Sequence, residues 1–403
     1  MREVVVVSAV RTAIGTIGGA LKNVECEHLL AAVFEAAIER AGIDKGIIDE
    51  VIAGHAKQSA DAPNVARLSA LMVRIPESVP GYTVHRQCAS SMQALLNGYQ
   101  QIITGYSDVI LVGGVDSMST APFYLRNTRF GQGSGNQVFV DPNVESQPKS
   151  QPNDIYGTFS MINTADNVAE KLGITREDCD AFSLESQRRA IAAIDSGRFK
   201  DEIVPFPVPQ GRKDPVMFDT DEFPKRDTSL DKMAKLKPIY EGGVTTAGSA
   251  TGRNDGACAL VIMAEEKAAE LGLKPLARII AGSASGVDPR YMGLGPVLAV
   301  GKLFDRYLTP MGLTMDDIGL IELNEAFAAQ SLGCIRELGL VSRMDDINVN
   351  GGAIALGHPL GDSGARICCT LIYEMLKRDV RYGIATLCAG GGMGMAMAFE
   401  KMH

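Results

Sequence analysis

One succession of strands and helices that occurs twice constrains this chain more than any other feature. Residues 3–8 (EVVVVS) read as a buried strand and residues 11–19 as a loop. Leu29, Leu30, Val33, Ala36 and Ala37 share one face of a helix predicted over 28–41. A strand over 49–53 follows, then a helix over 65–72, a helix after Cys88, and a strand over 108–112 that ends in Gly113-Gly114. From Leu276 the order returns. Ile318–Leu323 corresponds to the strand near Val51, Ala365–Leu376 after His358 to the helix after Cys88, and Ile384–Leu387 to the strand near Ile110. Residues 51 and 88 thus correspond to 321 and 358, a separation of 270. Solenoid repeats are far shorter, so the period implies a duplicated α/β domain with helices on the faces of a sheet. Equivalent loops of a duplicated fold converge on one pocket, which places Cys88 opposite His358.

The stretch between the copies has a different character. Gly, Pro, Asn and Gln cluster over 131–152, helices are predicted over 165–172 and 176–196, and 204–237 is rich in Pro and charge. Such a segment reads as an insertion lying over the α/β body. The expected division is a first half over 1–118 plus 252–275 (with a strand over 257–263), an inserted loop domain over 119–251, and a second half over 276–403.

The net charge of −9 over 403 residues excludes broad nucleic-acid binding and leaves any anion site to local cations. No apolar run reaches membrane-spanning length. The strand pattern starts too early for a signal peptide, and Lys401-Met402-His403 is not a peroxisomal address. Eight cysteines without paired or zinc-type spacing suit a reducing compartment, so a cytoplasmic location is expected, with no metal site.

Three segments carry candidate chemistry. Cys88 stands where an extended stretch, 82–84, gives way to a helix whose apolar face is Met92, Leu95, Leu96, Tyr99, Ile102 and Ile103. A cysteine at a helix start faces free N–H groups and the positive dipole end, which favour the thiolate. Free cysteines are more often simply buried. His358, held between Gly357 and Pro359 in NVNGGAIALGHPLGDSG (348–364), is a candidate base, and a Cys–His pair makes a thiol nucleophilic. His28, His55 and His403 read as satisfied or solvated. In LCAGGGMGMAMAFE (387–400), Gly390–Gly392 offer bare N–H groups to an oxyanion with Cys388 beside them. Asn324, at the end of the strand in IELNEAF, is placed to hold a water or donate to an oxyanion.

Together, Cys88 in RQCASS, the NEAF segment, GGAIALGHPLGDSG and CAGGGMG resemble the four signature stretches of the thiolases, and the likeness runs from SAVRTAIG (8–15) to the C-terminus. TTAGSATGRNDGA (245–257) is similar to the family's pantetheine-contacting loop. The resemblance implies duplicated βαβαβαββ domains stacked as five layers, α-β-α-β-α. It implies that Cys88 takes the acyl group of a 3-ketoacyl-CoA as a thioester, with His358 as its base. Asn324 would hold a water that polarises a thioester oxygen together with His358. Cys388 would move the C2 proton of acetyl-CoA, and the N–H groups of Cys88 and Gly390 would form a second oxyanion hole. By the same likeness, Ala247, Thr251, Met161, Ser160 and Ile162 border the CoA thioester, as do Phe327, Ala326, Met292 and Arg226. CoA is expected as a substrate, with no tightly bound cofactor, in a homodimer or homotetramer that binds neither nucleic acid nor membrane.

The chain departs from the family in several places. His85 replaces a usual Asn and is a rival base. Ser249, Thr251 and Arg253 replace an Asn, a Ser and an apolar residue. Ile162 replaces a Gly and Ser160 a frequent His, which points to a longer or bulkier acyl group than acetoacetyl. The alternative is an inactive or regulatory acyl-CoA-binding subunit of a larger complex, against which stands the presence of Cys88, His358 and Cys388 together.

Overall fold

The computed structural model describes residues 2–131 and 133–402. Its main strands are β1 (Val4–Thr12), β2 (Glu50–His55), β3 (Gly81–Val84), β4 (Val109–Ser117), β5 (Asn254–Ala264), β6 (Ala277–Gly286), β7 (Leu320–Leu323), β8 (Tyr382–Ala389) and β9 (Met393–Lys401). They form one sheet in the order β7-β8-β9-β6-β1-β5-β4-β2-β3, with the short strands Gly15–Thr16 and Ile203–Val204 at its margin.

Outward from the central β1–β6 pair, the two sides repeat each other. In the first half β5 runs antiparallel to β1 and β4, and β4 runs parallel to β2. In the second, β9 runs antiparallel to β6 and β8, and β8 runs parallel to β7. Even β3 beside β2 has an echo, a single parallel bridge between Ile321 and Ile347. The halves join where Val4, Val5 and Val6 pair with Ile279, Arg278 and Ala277.

The helices of eight or more residues are α1 (Cys26–Ala41), α2 (Val65–Met72), α3 (Ser90–Ile103), α4 (Met161–Leu172), α5 (Arg176–Asp195), α6 (Gly295–Leu303), α7 (Ala328–Glu337) and α8 (Ser363–Arg378). Met92 and Leu95 of α3 share a core with Ile367 and Leu371 of α8, between Ile262 of one half-sheet and Met397 of the other. Helices α1 and α2 cover the outer face of the first half-sheet, and α6 and α7 that of the second. The stack is therefore α-β-α-β-α. Strand β5 shows why its sequence is an unbroken apolar run. Cys258, Leu260 and Ile262 face the central helices, while Ala259, Val261 and Met263 face α1. A strand covered on both faces has no solvent side to mark with polar residues.

Several boundaries differ from the sequence expectation: α4 starts at Met161 rather than at residue 165, and two strands run on further than expected. Strand β4 continues through Gly113-Gly114 to Ser117, because glycine there admits close neighbours rather than a turn. A Cβ on Gly114 would lie 2.3 Å from the Gly361 carbonyl oxygen and 2.4 Å from Ser91 Cβ. Strand β1 runs on to Thr12, where Arg11 is wholly buried between Glu202 and Asp221. The close approach at Gly114 lets the starts of α3 and α8 interlock. Ser91 Oγ donates to the Asp362 carbonyl at 2.8 Å and accepts from Ala365 N–H at 2.9 Å. That clasp brings the turn bearing Cys88 to the loop bearing His358.

Candidate active site

Cys88 lies on the turn between β3 and α3, ahead of the first helical residue, Ser90. Gln87 takes a left-handed φ of 49°. Ser90 fastens the turn: its Oγ donates to the Gln87 carbonyl at 2.6 Å and accepts from Arg86 N–H at 2.9 Å. Of the eight cysteines, all free, Cys88 alone is partly exposed, although its sulfur is enclosed. Enclosure of its sulfur pushes the thiol up to about 11, against the opposing influence of the Gly390 and Cys88 backbone N–H groups. The low thiol pKa anticipated from a helix start is not found, because the helix begins beyond Cys88 and the sulfur sits in a poorly hydrated cavity.

His358 is held on three sides. Its N–H donates to Asn254 Oδ1 at 3.0 Å, its Nδ1 lies 2.6 Å from Ser363 Oγ, and its Nε2 lies 3.5 Å from Asn324 Nδ2. Ser363 Oγ also lies 2.7 Å from the Pro359 carbonyl, which can only accept. The serine hydrogen therefore goes to Pro359, and the serine oxygen accepts from Nδ1–H. The lone pair of the ring is left on Nε2. Burial, with the charge of Arg366 adding to it, pushes His358 down to about 3, so the imidazole is neutral.

Cys388 ends β8, buried in an apolar cluster with Met161, Ile162, Ala326, Phe327 and Met292. Burial raises its thiol pKa well above the ordinary value, and the neighbouring Cys88 raises it further. Gly391 and Gly392, at φ 87° and 77°, turn the chain back into β9 and leave Gly390 to reach Cys88. Asn324 is buried, and its Oδ1 has no partner among the described residues. Its neighbour Glu325 has a different duty. Its carboxylate accepts from Ser186 Oγ, Asn348 Nδ2 and Ile354 N–H, which ties the glycine-rich loop to the NEAF segment.

Cys88, His358 and Gly390 line one cavity of about 380 Å³. Met161, Ile162, Met292, Ala326 and Phe327 line it too, as do Ala247 and Thr251 from the binding loop. The Thr251 hydroxyl donates to the Ala353 carbonyl at 2.8 Å. Four residues proposed from sequence are not part of the cavity lining: Asn324 and Cys388, which are buried, and Ser160 and Arg226. Ser160 instead caps α4 through Asn163, and its Oγ lies 3.0 Å from Tyr240 Oη. Arg226 is exposed and paired with Asp195. His85 is exposed and also absent from the lining, whereas Arg253 belongs to it.

The sequence reading missed several residues. Ser363 and Asn254 orient His358. Lys57, Gln87, Ser146, Gln147 and Ser150 supply a polar part of the wall. A lysine in a polar loop gives no sign in sequence of pointing inward. Ser363, five residues after His358 at the start of a helix, was legible in principle.

The sequence profile "Thiolase, N-terminal domain" matches residues 4–266, and "Thiolase, C-terminal domain" matches residues 273–401. The chain is 47% identical to the acetyl-CoA acetyltransferase of Syntrophomonas wolfei, with both chains covered to 100%. It is 44% identical to the β-ketoadipyl-CoA thiolase of Pseudomonas aeruginosa, again with 100% of each chain covered. Its structure superposes on the crystal structure of Bacillus anthracis acetyl-CoA acetyltransferase with a TM-score of 0.95 and 44% identity, covering 100% of this chain and 99% of that one. With both halves matched, and an arrangement of Cys88, His358 and Cys388 suited to acyl transfer, the chain belongs to the thiolase family and is an acyltransferase.

Proposed function

We propose that this enzyme cleaves a 3-ketoacyl-CoA with CoA to acetyl-CoA and a shortened acyl-CoA, or runs the reverse condensation, through a thioester on Cys88. The observation that carries the reading is the placement of a neutral His358 with its ring lone pair on Nε2, Gly390 and Cys88 around one cavity, with Cys388 buried against it. In the cleavage direction His358 takes the Cys88 proton, and the sulfur attacks the C3 carbonyl. The N–H groups of Cys88 and Gly390, which sit beside that sulfur, stabilise the oxyanion that forms. The C2–C3 bond breaks, its electron pair passes to C2, and Cys388 protonates C2 to release acetyl-CoA. A water held by Asn324, together with the Nε2–H that His358 then carries, donates to the enolate oxygen and stabilises it. CoA thiol then attacks the Cys88 thioester and its proton restores Cys388. His358 returns its own proton to Cys88. Two successive thioester transfers give ping-pong kinetics.

The test separates the two cysteines. Wild-type protein and Cys388→Ala are compared for loss of 3-ketoacyl-CoA absorbance on adding CoA, and for exchange of an acyl group between CoA and Cys88. Cleavage should collapse in the variant while exchange persists; equal loss of both would show the division of roles to be wrong. Ile162 on the wall favours an acyl group other than acetoacetyl. A homodimer or homotetramer in the cytoplasm completes the proposal. The assembly is supported by the outer edge of β3, unpaired among the described residues, and by exposed Phe123, Phe130 and Phe139 in the inserted segment. Among the described residues no helix is long and apolar enough to cross a membrane.

A further inference from the structure

Lys57 does nothing in the mechanism above, yet it is only 9% exposed and lines the cavity that holds Cys88. Its Nζ donates to Ser146 Oγ at 2.6 Å and to the Pro142 carbonyl at 3.2 Å. It has no ion pair among the described residues. The carboxylates whose charge it feels most are committed elsewhere. Asp116 accepts the N–H groups of Ala56, Lys57 and Gly361, and Asp141 accepts that of Asn143. One of the three ammonium hydrogens is thus left without a protein acceptor. A buried, unpaired cation is unfavourable unless something of opposite charge joins it.

The position of Lys57 says what that partner is attached to. A Cβ on Gly390 would lie 3.3 Å from Ser150 Oγ, 3.5 Å from Met161 Sδ and 3.7 Å from Gln87 Cγ, so these side chains surround the oxyanion-hole glycine. Ser150 Oγ donates to the Ser146 carbonyl at 2.9 Å, and Ser146 Oγ holds Lys57. A polar stripe, Gln87, Ser150, Ser146 and Lys57, therefore leads from Cys88 and Gly390 along the inserted segment that also carries Met161 and Ile162. A hydrocarbon chain gains nothing from such a wall. We propose that the acyl group of the preferred 3-ketoacyl-CoA ends in a carboxylate that pairs with Lys57, the chain lying between the Ser146–Ser150 stripe and the apolar Met161–Ile162 side. Arg253, exposed and without an ion pair among the described residues, lines the same cavity and adds to its positive field. Burial holds Lys57 below the ordinary lysine value, and an adjacent carboxylate opposes that shift.

This inference rests on the thiolase reading above, and its test keeps the two apart. Matched 3-ketoacyl-CoA esters of equal length, one ending in methyl and one in carboxylate, are compared by kcat/KM for wild type, Lys57→Met and Lys57→Arg. Wild type should favour the carboxylate member by about tenfold to a hundredfold, the range of a buried charge-assisted hydrogen bond. Lys57→Met should abolish or invert the preference by raising kcat/KM for the methyl member, and Lys57→Arg should keep part of it. The same pairs made as pantetheine thioesters, which lack the CoA phosphates, should show the same preference. A wild type that favours the methyl member overturns the inference and leaves the thiolase reading intact. So does a Lys57→Met loss equal for both members, which would mark Lys57 as acting on Cys88. A preference that vanishes with pantetheine thioesters would assign Lys57 to a CoA phosphate and also overturn it. Cleavage of neither member by wild type overturns both readings.

Discussion

Replacing Ser363 by alanine removes the acceptor of the His358 Nδ1–H, and the structure gives the ring two poor alternatives. Both residues are buried, at 0% and 2% exposure, and the bond is short at 2.6 Å. If the proton stays on Nδ1, a buried donor is orphaned at a cost of about 1–3 kcal/mol. If it moves to Nε2, it meets the Asn324 amide nitrogen 3.5 Å away, itself a donor, and the lone pair needed to accept the Cys88 proton is lost. Either way the reactive tautomer is disfavoured by about 1.4–2.8 kcal/mol, which corresponds to a tenfold to hundredfold fall in kcat/KM. The assay is the rate of Cys88 acylation by a saturated acyl-CoA, followed alongside the urea midpoint to separate folding from chemistry. Ser363→Thr keeps the hydroxyl and should recover most of the rate. An alanine variant with wild-type kcat/KM would refute the reasoning. A threonine variant as slow as alanine at equal stability would do the same.

Three further outcomes follow from the same site. Iodoacetamide should modify Cys88 before the seven buried cysteines, slowly at neutral pH and faster toward alkaline pH, because the thiol is pushed up to about 11. Peptide mapping that finds Cys26 or Cys179 alkylated in step with inactivation, and Cys88 intact, would oppose this. The kcat/KM of acylation should be level across the neutral range, since His358 titrates near 3 and Cys88 near 11. An inflection near the ordinary imidazole value of 6.5, lost in His358→Ala, would contradict the buried neutral base. His85→Asn should leave turnover largely intact, because that imidazole is exposed and outside the cavity lining. A collapse as deep as that of His358→Ala would instead make His85 the base.

Sequence alone determined the parts of this protein that depend on neighbours along the chain. The periodicities marked most of the strands and helices, and the 270-residue recurrence foretold matching strand order in the two halves and Cys88 opposite His358. Glycine-rich loops around His358 and Gly390 could be recognised because glycine alone tolerates turns such as those at Gly357, Gly391 and Gly392. Tertiary structure decided what depends on residues brought together from afar. Gly113 and Gly114 were read as a strand end and proved to be a strand interior. The reason lies in Ser91 and Gly361, which no local pattern reveals. The place of Cys88 before a helix points to a thiolate, yet enclosure of its sulfur by residues from distant segments governs its proton. The tautomer of His358 follows from Ser363 and Pro359, and Ser160 turns into a helix cap. Lys57 faces inward because Pro142 and Ser146, more than eighty residues later, hold its ammonium group. A side chain's charge and direction are set by its surroundings in space, and for these residues the surroundings come from distant parts of the chain.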